Sequence, residues 1–322
     1  MHIAEILLDV TQNNKYTVFS LYLPLLFSKT SIMKKAFILW LLSIVAFATT
    51  MQAQTLYVGE FNIRNANEKD TKAGNGWERR CPVVCDIFRI ENFDVFGAQE
   101  VYHSQLEDLC EALPQYGYVG VGRDDGKQAG EYAPIFYKKD RIKCLSSGAF
   151  WLSETPEVAG SKGWDAKYPR ICTWGQFKDL KSGKKFWMFN LHLDHKGMEA
   201  RKQSCHLVLA KVKEMCGKQP YILLGDFNVD QTNEIYNILA DSGAFHDSFE
   251  TAAVRFAETG SMNYFKINYK TDLRIDHVFL SPKLKALDYV VLTYSYWTEI
   301  EPGVHEQRLP SDHYPVGVHV MF

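Results

Sequence analysis

The sequence predicts an α/β protein in which two packed sheets are flanked by helices. Short apolar runs, which are typical of buried strands, alternate with stretches whose apolar residues recur at helical spacing. In the middle of the chain, strand runs joined by short turns dominate, which favours two packed sheets over one parallel sheet. No internal repeat or low-complexity linker follows residue 54, so we expect residues 54–322 to form one domain.

The individual elements follow from these patterns in chain order. Residues 77–90 carry apolar side chains at helical spacing, and Ser104 with Glu107 matches a capping box that opens a helix over 104–113. Further helices are predicted over residues 197–216 and 233–240. Strands are predicted over residues 55–63, 93–98, 116–121, 133–137, 142–152, 171–178, 185–193, 221–224, 275–280, 287–294 and 314–320.

The N-terminal region has the features of an export signal. Two lysines at 34–35 precede an apolar stretch over 36–48 that is too short to span a bilayer comfortably, and small residues follow it. We therefore predict a signal peptide over residues 33–53 and an exported protein, periplasmic or secreted, without stable membrane insertion after cleavage. Residues 1–32 form an upstream extension, and translation starting at Met33 would leave them out. A single N-terminal membrane anchor is the alternative.

Charge and cysteine content exclude some classes of function. Residues 54–322 hold 32 of the 36 basic and 36 of the 38 acidic side chains, a net charge of −4, which argues against a long electrostatic grip on duplex nucleic acid. The seven cysteines form no CxxC pair and no zinc-type Cys/His spacing. Their odd number means that at least one thiol is free or pairs between chains. We assign no function to the cysteines.

Several apolar runs stop at acids, amides or imidazoles, and strand ends are where sheet proteins usually assemble active sites. Carboxylate and amide oxygens suit a hard cation, while histidines suit proton transfer and anion stabilisation. This inventory predicts a metal-dependent phosphoester hydrolase. Its members are Asn62, Glu100, the run Asn190-Leu191-His192-Leu193-Asp194-His195, Gly225-Asp226-Phe227-Asn228, Ile275-Asp276-His277 and Ser311-Asp312-His313.

These motifs, taken in this order, resemble the endonuclease/exonuclease/phosphatase superfamily, which includes pancreatic-type deoxyribonuclease. The resemblance runs from about residue 55 to residue 322 and rests on six motifs in register. It implies a four-layer α/β/β/α sandwich of the deoxyribonuclease I-like type, with the site at one edge of the paired sheets. With the predicted signal, the chain would be an exported bacterial member.

The resemblance also implies a metal site. Asn62, Glu100 and Asp312 would hold a divalent ion. Mg²⁺ is expected, with Mn²⁺ as the alternative, because Mg²⁺ prefers oxygen ligands and keeps waters that a substrate can displace.

Catalytic roles follow from the same resemblance. His313 would be the general base on the attacking water, and Asp276 would hold its ring. His192 would lie on the opposite side of the phosphate, to stabilise developing charge or serve the leaving group. Asp226 and Asn228 would position water and phosphate oxygens. Related enzymes support a competing assignment in which Asp226 is the base, and both assignments stay open at this point.

Four further residues are candidates for substrate contact, each with a structural alternative. Asp194 and His195 extend the phosphate pocket or turn the chain. Arg170 grips a substrate anion bidentately or forms a surface salt bridge. Tyr137, at a strand end, contacts substrate or packs in the core.

Arg64 separates this chain from the abasic-site endonuclease branch, which has an acidic residue at that position. We expect a phosphomonoesterase or phosphodiesterase that acts on small sugar, lipid or nutrient phosphoesters. The alternatives are an exported nuclease, deoxyribonuclease-like or deadenylase-like, with nucleic acid as partner, and a phosphate-binding module without catalysis. The sequence does not indicate an oligomeric state.

Overall fold

The computed structural model describes residues 35–41 and 55–322. The predicted upstream extension and most of the predicted signal peptide lie outside the described residues. Residues 35–41, within the predicted signal peptide, are helical. Among the described residues, no helix combines the length and apolar character that crossing a membrane requires. Residues 55–322 lie within one compact unit.

The first sheet has β1 (Thr55–Asn62) and β15 (Val316–Met321) near its centre. β1 pairs in parallel with β2 (Val95–Gln99) and antiparallel with β15, so that the last strand within residues 55–322 lies between β1 and β12 (Lys285–Val291). In the described part of the chain this sheet has seven strands. In spatial order they are β10 (Val254–Phe256), β12 (Lys285–Val291), β15 (Val316–Met321), β1 (Thr55–Asn62), β2 (Val95–Gln99), β4 (Ile135–Lys138) and β3 (Tyr116–Val119).

The second sheet has β7 (Lys185–His192) and β8 (Tyr221–Asp226) as its parallel central pair, and its other pairs are antiparallel. It has six strands within residues 55–322. In spatial order they are β5 (Ile142–Trp151), β6 (Ile171–Asp179), β7 (Lys185–His192), β8 (Tyr221–Asp226), β11 (Asp276–Leu280) and β9 (His246–Asp247).

Helices cover the outer face of each sheet. The longer ones are α2 (Trp77–Glu91) and α3 (His103–Ala112) on the first sheet and α4 (Met198–Cys216) and α5 (Glu234–Ala240) on the second. Two short helices, α1 (Glu68–Lys72) and α6 (Ser248–Thr251), complete the helices labelled in residues 55–322. The predicted four-layer α/β/β/α sandwich is confirmed.

The alternation of side chains along the strands explains the layers. In β1, Leu56 and Val58 point between the sheets and pack with residues of the second sheet such as Met188 and Leu224. Phe61, of opposite parity, packs with the helices α2 and α3. Burial of both strand faces explains why these strands read as continuous apolar runs.

A polar clamp also joins the two sheets close to the site. The amide of Asn190, in β7, donates to the carbonyls of Ala98 (2.9 Å) and Pro134 (2.8 Å) and accepts from the side chain of Gln99 (2.7 Å). All the partners are buried, so each bond satisfies a group that would otherwise be unpaired. The clamp fixes the relative position of β2 and β7, which deliver Glu100 and His192.

Some details of the sequence prediction are wrong. The helix α3 begins at His103 rather than at Ser104, and Gln105 accepts from the backbone N–H of Tyr102 (3.1 Å) in place of the predicted Ser104–Glu107 box. A separate hairpin, β13 (Tyr296–Glu301) with β14 (Val304–Arg308), follows β12 and was not predicted. Its strands are largely exposed and lack an apolar face, which removes the signal that identified the core strands.

Candidate active site

Strand direction brings the predicted residues to one edge of the sandwich. β1, β2, β7 and β8 end at this edge and supply Asn62, Glu100, His192 and Asp226. β11 runs antiparallel to β8, so its first residue, Asp276, lies directly opposite Asp226. The segment before β15, which holds Asp312 and His313, reaches the same edge because β15 is antiparallel to β1. All eight residues that the resemblance assigned to the site therefore meet at this edge.

Asn62 lies at the centre of the carboxylate group. Its amide donates to Glu100 Oε1 (3.2 Å) and to Asp226 Oδ2 (3.0 Å). Arg64 Nη1 lies 3.6 Å from both Glu100 Oε2 and Asp312 Oδ2 and so joins the two predicted metal carboxylates. Burial and the nearby Glu100 carboxylate raise the pKa of Asp312, although His313 and Arg64 oppose the shift. The cluster therefore concentrates negative charge in a buried place.

His313 is held by a carboxylate on each side of its ring. Its Nδ1 lies 2.8 Å from Asp276 Oδ2, and its Nε2 lies 3.9 Å from Asp226 Oδ2. Burial opposes protonation of the ring, but the carboxylates of Asp276, Asp226 and Asp312 outweigh it and raise the pKa of His313 well above its ordinary value. Burial and the Asp276 carboxylate raise the pKa of Asp226 to about 7. The pKa values of both candidate bases, His313 and Asp226, are thus raised above the values of these side chains in solution.

His192 approaches Asp226 from the other side. Its Nε2 lies 3.4 Å from Asp226 Oδ2, and its Nδ1 lies 3.8 Å from Glu131. Burial, followed by the cations of Arg170 and Arg123, lowers the pKa of His192 well below its ordinary value. His192 is therefore a neutral ring next to two guanidinium groups. A neutral ring donates or accepts one hydrogen bond without adding charge.

Three site residues have left-handed backbone conformations, which are uncommon for residues other than glycine. They are Arg64 (φ 60°), Glu100 (φ 59°) and Asn228 (φ 50°). Asn228 is fixed by its side chain, which donates to the carbonyl of Leu193 (3.1 Å), and by its N–H, which donates to Asp226 (2.9 Å). Backbone strain of this kind concentrates at functional sites.

A cavity of about 600 Å³ opens over these residues. Glu100, Asp226, Asp312, His192 and His313 are among its lining residues. A second part of the lining, here called the arginine wall, was missed by the sequence prediction, except for Arg170 and His195. It is built from Arg123, Glu131, Tyr168, Arg170 and His195, and Glu131 lies next to His192.

The four candidate substrate residues have different outcomes. Arg170 forms the salt bridge of its structural alternative, with Asp194 (3.2 Å), but the pair is buried and not on the surface, since Arg170 is 4% exposed. Asp194 turns the chain by accepting from the N–H groups of Lys196 and Gly197, while His195 lines the cavity. Tyr137 packs against Phe177 and does not line the cavity, so its packing alternative applies.

Glu60 is a buried acid of β1 that the sequence prediction missed. It lies one step inward from Asn62 on the same strand face, and neither of its carboxyl oxygens has a hydrogen-bond partner in the described residues. Burial and the Asp276 carboxylate raise the pKa of Glu60 well above its ordinary value. The alternation of Leu56, Val58, Glu60 and Asn62 was the signal that could have placed it inside.

Glu60→Gln is expected to stabilise the fold increasingly as the pH rises. The folded state holds Glu60 protonated, so the stability of the wild type falls as the pH rises from the unfolded pKa towards the folded pKa. Each unit by which the pKa is raised corresponds to about 1.4 kcal/mol. Urea unfolding of both proteins in EDTA at pH 5 and pH 8 measures the difference. The exposed Glu258→Gln is the control, and a Glu60→Gln difference that does not change with pH would contradict the assignment.

Comparisons with known proteins agree with this geometry. Residues 61–313 match the sequence profile of the Endonuclease/Exonuclease/phosphatase family. A protein of this family from Bacteroides thetaiotaomicron is 48% identical, with a TM-score of 0.81 over 83% of this chain and 98% of that chain. A mannosyl-6-phosphatase from the same organism is also 48% identical, with a TM-score of 0.80 over 83% of this chain and 100% of that chain.

A more distant structure shares the fold alone. The D. rerio TDP2 protein, complexed with a single-strand DNA product, is 17% identical over 83% of this chain and 99% of that chain, with a TM-score of 0.61. The profile match spans both Asn62 and His313 and so covers the whole site. The chain therefore belongs to the Endonuclease/Exonuclease/phosphatase family.

Proposed function

We propose that the protein is a divalent-metal-dependent phosphomonoesterase that acts on small sugar phosphates. One observation carries the proposal: the acidic and histidine cluster lines a cavity that is large enough for one small molecule. The apolar stretch over 36–48 supports the further proposal that the enzyme works outside the cytoplasm.

The carboxylates that line the cavity fit a divalent cation. Glu100 and Asp312 offer the oxygen ligands that Mg²⁺ prefers, and crowding of buried carboxylates is the electrostatic problem that a cation relieves. The Asn62 amide group donates to Glu100, and its oxygen accepts from the Arg64 N–H, so Asn62 holds a carboxylate ligand in place. When bound, the cation would polarise the phosphoryl oxygens and offset the carboxylate charge that now raises the pKa of His313.

The protein's own groups account for the other requirements of the reaction. Asp276 orients His313, and His313 together with Asp226 is positioned to take the proton of the attacking water. His192, on the other side of Asp226, is positioned to donate to a phosphoryl or leaving-group oxygen. Asn62 keeps Glu100 and Asp226 in register through its two hydrogen bonds.

Removal of metal is expected to abolish activity, and Mg²⁺ is expected to restore it. Glu100→Ala should raise the Mg²⁺ concentration needed for half-maximal activity by about tenfold or more, because one charged ligand is lost. The exposed Glu107→Ala is the matched control on the adjacent helix α3. The Mg²⁺-dependent rise in Tm gives a readout that does not depend on turnover. Full activity in EDTA would overturn the metal proposal.

The choice of a sugar phosphate rests on similarity and on charge. The mannosyl-6-phosphatase shares 48% of its residues with this chain across its full length. Within the described residues, each arginine that lines the cavity is paired with a carboxylate: Arg64 with Asp70, Arg123 with Glu131 and Arg170 with Asp194. Binding of a polymer backbone depends on lysines and arginines that neutralise phosphates, and the charge of each arginine in this lining is already balanced by a carboxylate.

A substrate screen with Mg²⁺ tests this choice. We expect release of phosphate from hexose 6-phosphates and no cleavage of single-stranded or duplex DNA or of RNA. Salt dependence gives a second criterion, because binding of a polymer weakens steeply with ionic strength and binding of a small ester does not. Cleavage confined to nucleic acid, with a steep salt dependence, would establish the nuclease alternative instead.

A further inference from the structure

His195 is not assigned to the reaction described above, yet its ring orientation is determined by a neighbour. Arg170 Nη2 lies 3.0 Å from His195 Nδ1. A guanidinium group has only N–H donors and stays charged in proteins. Nδ1 must therefore be the acceptor, and a neutral ring then carries its proton on Nε2.

The support behind Arg170 makes this arrangement rigid. Arg170 Nε donates to Asp194 (3.2 Å), and Asp194 is held by the backbone N–H groups of Lys196 (2.9 Å) and Gly197 (2.8 Å). These N–H groups and the Arg170 cation hold the pKa of Asp194 well below its ordinary value, although burial opposes them. Partial burial and then Arg170 lower the pKa of His195, which keeps the ring neutral.

The ring of His195 also stacks on an aromatic neighbour. Its centroid lies 5.9 Å from that of Tyr168, with an interplanar angle of 23°, and Arg123 lies over the Tyr168 ring at 5.4 Å. His195 lines the cavity, and its Nε2 has no hydrogen-bond partner among the described residues. A fixed N–H donor is thus available on the arginine wall of the cavity that Glu100 and Asp312 also line.

The charges of this wall indicate which kind of group it binds. Arg123 is paired with Glu131, Arg170 is paired with Asp194, and His195 is neutral. One guanidinium nitrogen of each arginine, Arg123 Nε and Arg170 Nη1, is buried and has no hydrogen-bond partner among the described residues. The charge of each arginine is balanced by its carboxylate, so the neutral N–H of His195 is the donor that a hydroxyl oxygen can accept from without a change of charge.

We propose that His195 Nε2 donates a hydrogen bond to a hydroxyl oxygen of a sugar leaving group, and that Arg170 positions His195 for this contact. The inference rests on the proposed phosphomonoesterase activity. It makes His195 a specificity-determining residue for the part of the substrate that lies beyond the phosphate. His195 is not a general base in this arrangement, because its acceptor nitrogen is occupied by Arg170.

The test compares two monoesters that differ in their leaving groups. His195→Phe keeps the stacking on Tyr168 and removes the donor, and His195→Gln restores a donor. For a hexose 6-phosphate, His195→Phe is expected to raise KM about 3- to 10-fold, as loss of one neutral hydrogen bond does. KM for phenyl phosphate, whose leaving group has no hydroxyl to contact, is expected to stay unchanged. His206→Phe, an exposed residue of α4, is the control.

The outcomes separate this inference from the activity on which it rests. Three outcomes would overturn the His195 assignment while the phosphatase activity stands. The wild type could hydrolyse phenyl phosphate and no hexose 6-phosphate, His195→Phe could raise KM equally for both esters, or it could raise KM for neither. An inactive wild type would overturn both. The ¹⁵N shifts of the His195 ring give a readout independent of turnover: a protonated Nε2 and an unprotonated Nδ1 are expected. A proton on Nδ1 would overturn the proposal.

Discussion

Replacing His313 by alanine is expected to lower kcat by about 10²–10⁴-fold, the range that loss of a general acid or base usually produces. The ring lies within reach of both Asp276 and Asp226, so its removal takes away the central member of this group. Steady-state kinetics on a hexose 6-phosphate at saturating Mg²⁺ measures the effect. Asp226→Asn, tested alongside, is expected to lose activity to a similar extent.

His319 supplies a control within the same chain. It forms a similar pair with Asp288 (2.9 Å), but the pair lies on the surface, away from the cavity. His319→Ala therefore removes a histidine–carboxylate pair without touching the site, and kcat should be unchanged. Near-normal turnover by His313→Ala, combined with an inactive Asp226→Asn, would assign the base to Asp226 instead.

The second large effect is expected from Arg80→Met. Arg80 is fully buried in α2, and its five hydrogen bonds within the described residues go to backbone carbonyls. It joins the segment after β1, through Ile63 (2.6 Å) and Arg64 (3.1 Å), to Pro310 (3.0 Å) before Asp312. Arg80→Met leaves these buried carbonyls without their guanidinium donor. We expect this loss to lower the free energy of unfolding by about 3–5 kcal/mol.

The neighbouring residue provides the control for this variant. Arg79 is exposed, and Arg79→Met should change the free energy of unfolding by no more than about 0.5 kcal/mol. Urea unfolding measures the free energy of unfolding of both variants. Arg80→Lys shows how much of the wild-type unfolding free energy remains when a single positive charge is kept without the guanidinium group. The prediction fails if Arg80→Met and Arg79→Met are equally stable.

The sequence predicted the framework of the site because apolar runs and the residues that end them are local signals. The buried strands β1, β7, β8 and β11 read as apolar runs, and each is bounded by a polar residue of the site. Strand ends that meet at one edge then bring together residues as distant in sequence as Asn62 and His313. The roles came from the resemblance, since neither apolar periodicity nor spacing distinguishes a base from a metal ligand.

The sequence prediction missed most of the arginine wall of the cavity for a different physical reason. Arg123 and Glu131 lie in a loop between β3 and β4, and a charged loop residue usually faces solvent. Their mutual pairing, with a further hydrogen bond from Asn65 to Glu131, makes burial tolerable, and a pairing of this kind cannot be read from one sequence. Arg80 left a readable signal, because it precedes Val84 and Ile87 by helical spacing on the buried face of α2.

The position of β15 has a consequence for how the enzyme becomes active. This strand is the last within residues 55–322, yet it lies between β12 and β1 rather than at an edge. Pairing of Thr55 with Met321 closes a loop of almost the whole domain. We expect this step of folding to be slow, because the chain loses entropy on loop closure before the contacts that stabilise the pairing have formed. The residues around His313 gain their place only when β15 inserts. Return of activity during refolding should therefore report completion of the first sheet, and helical signals should recover earlier.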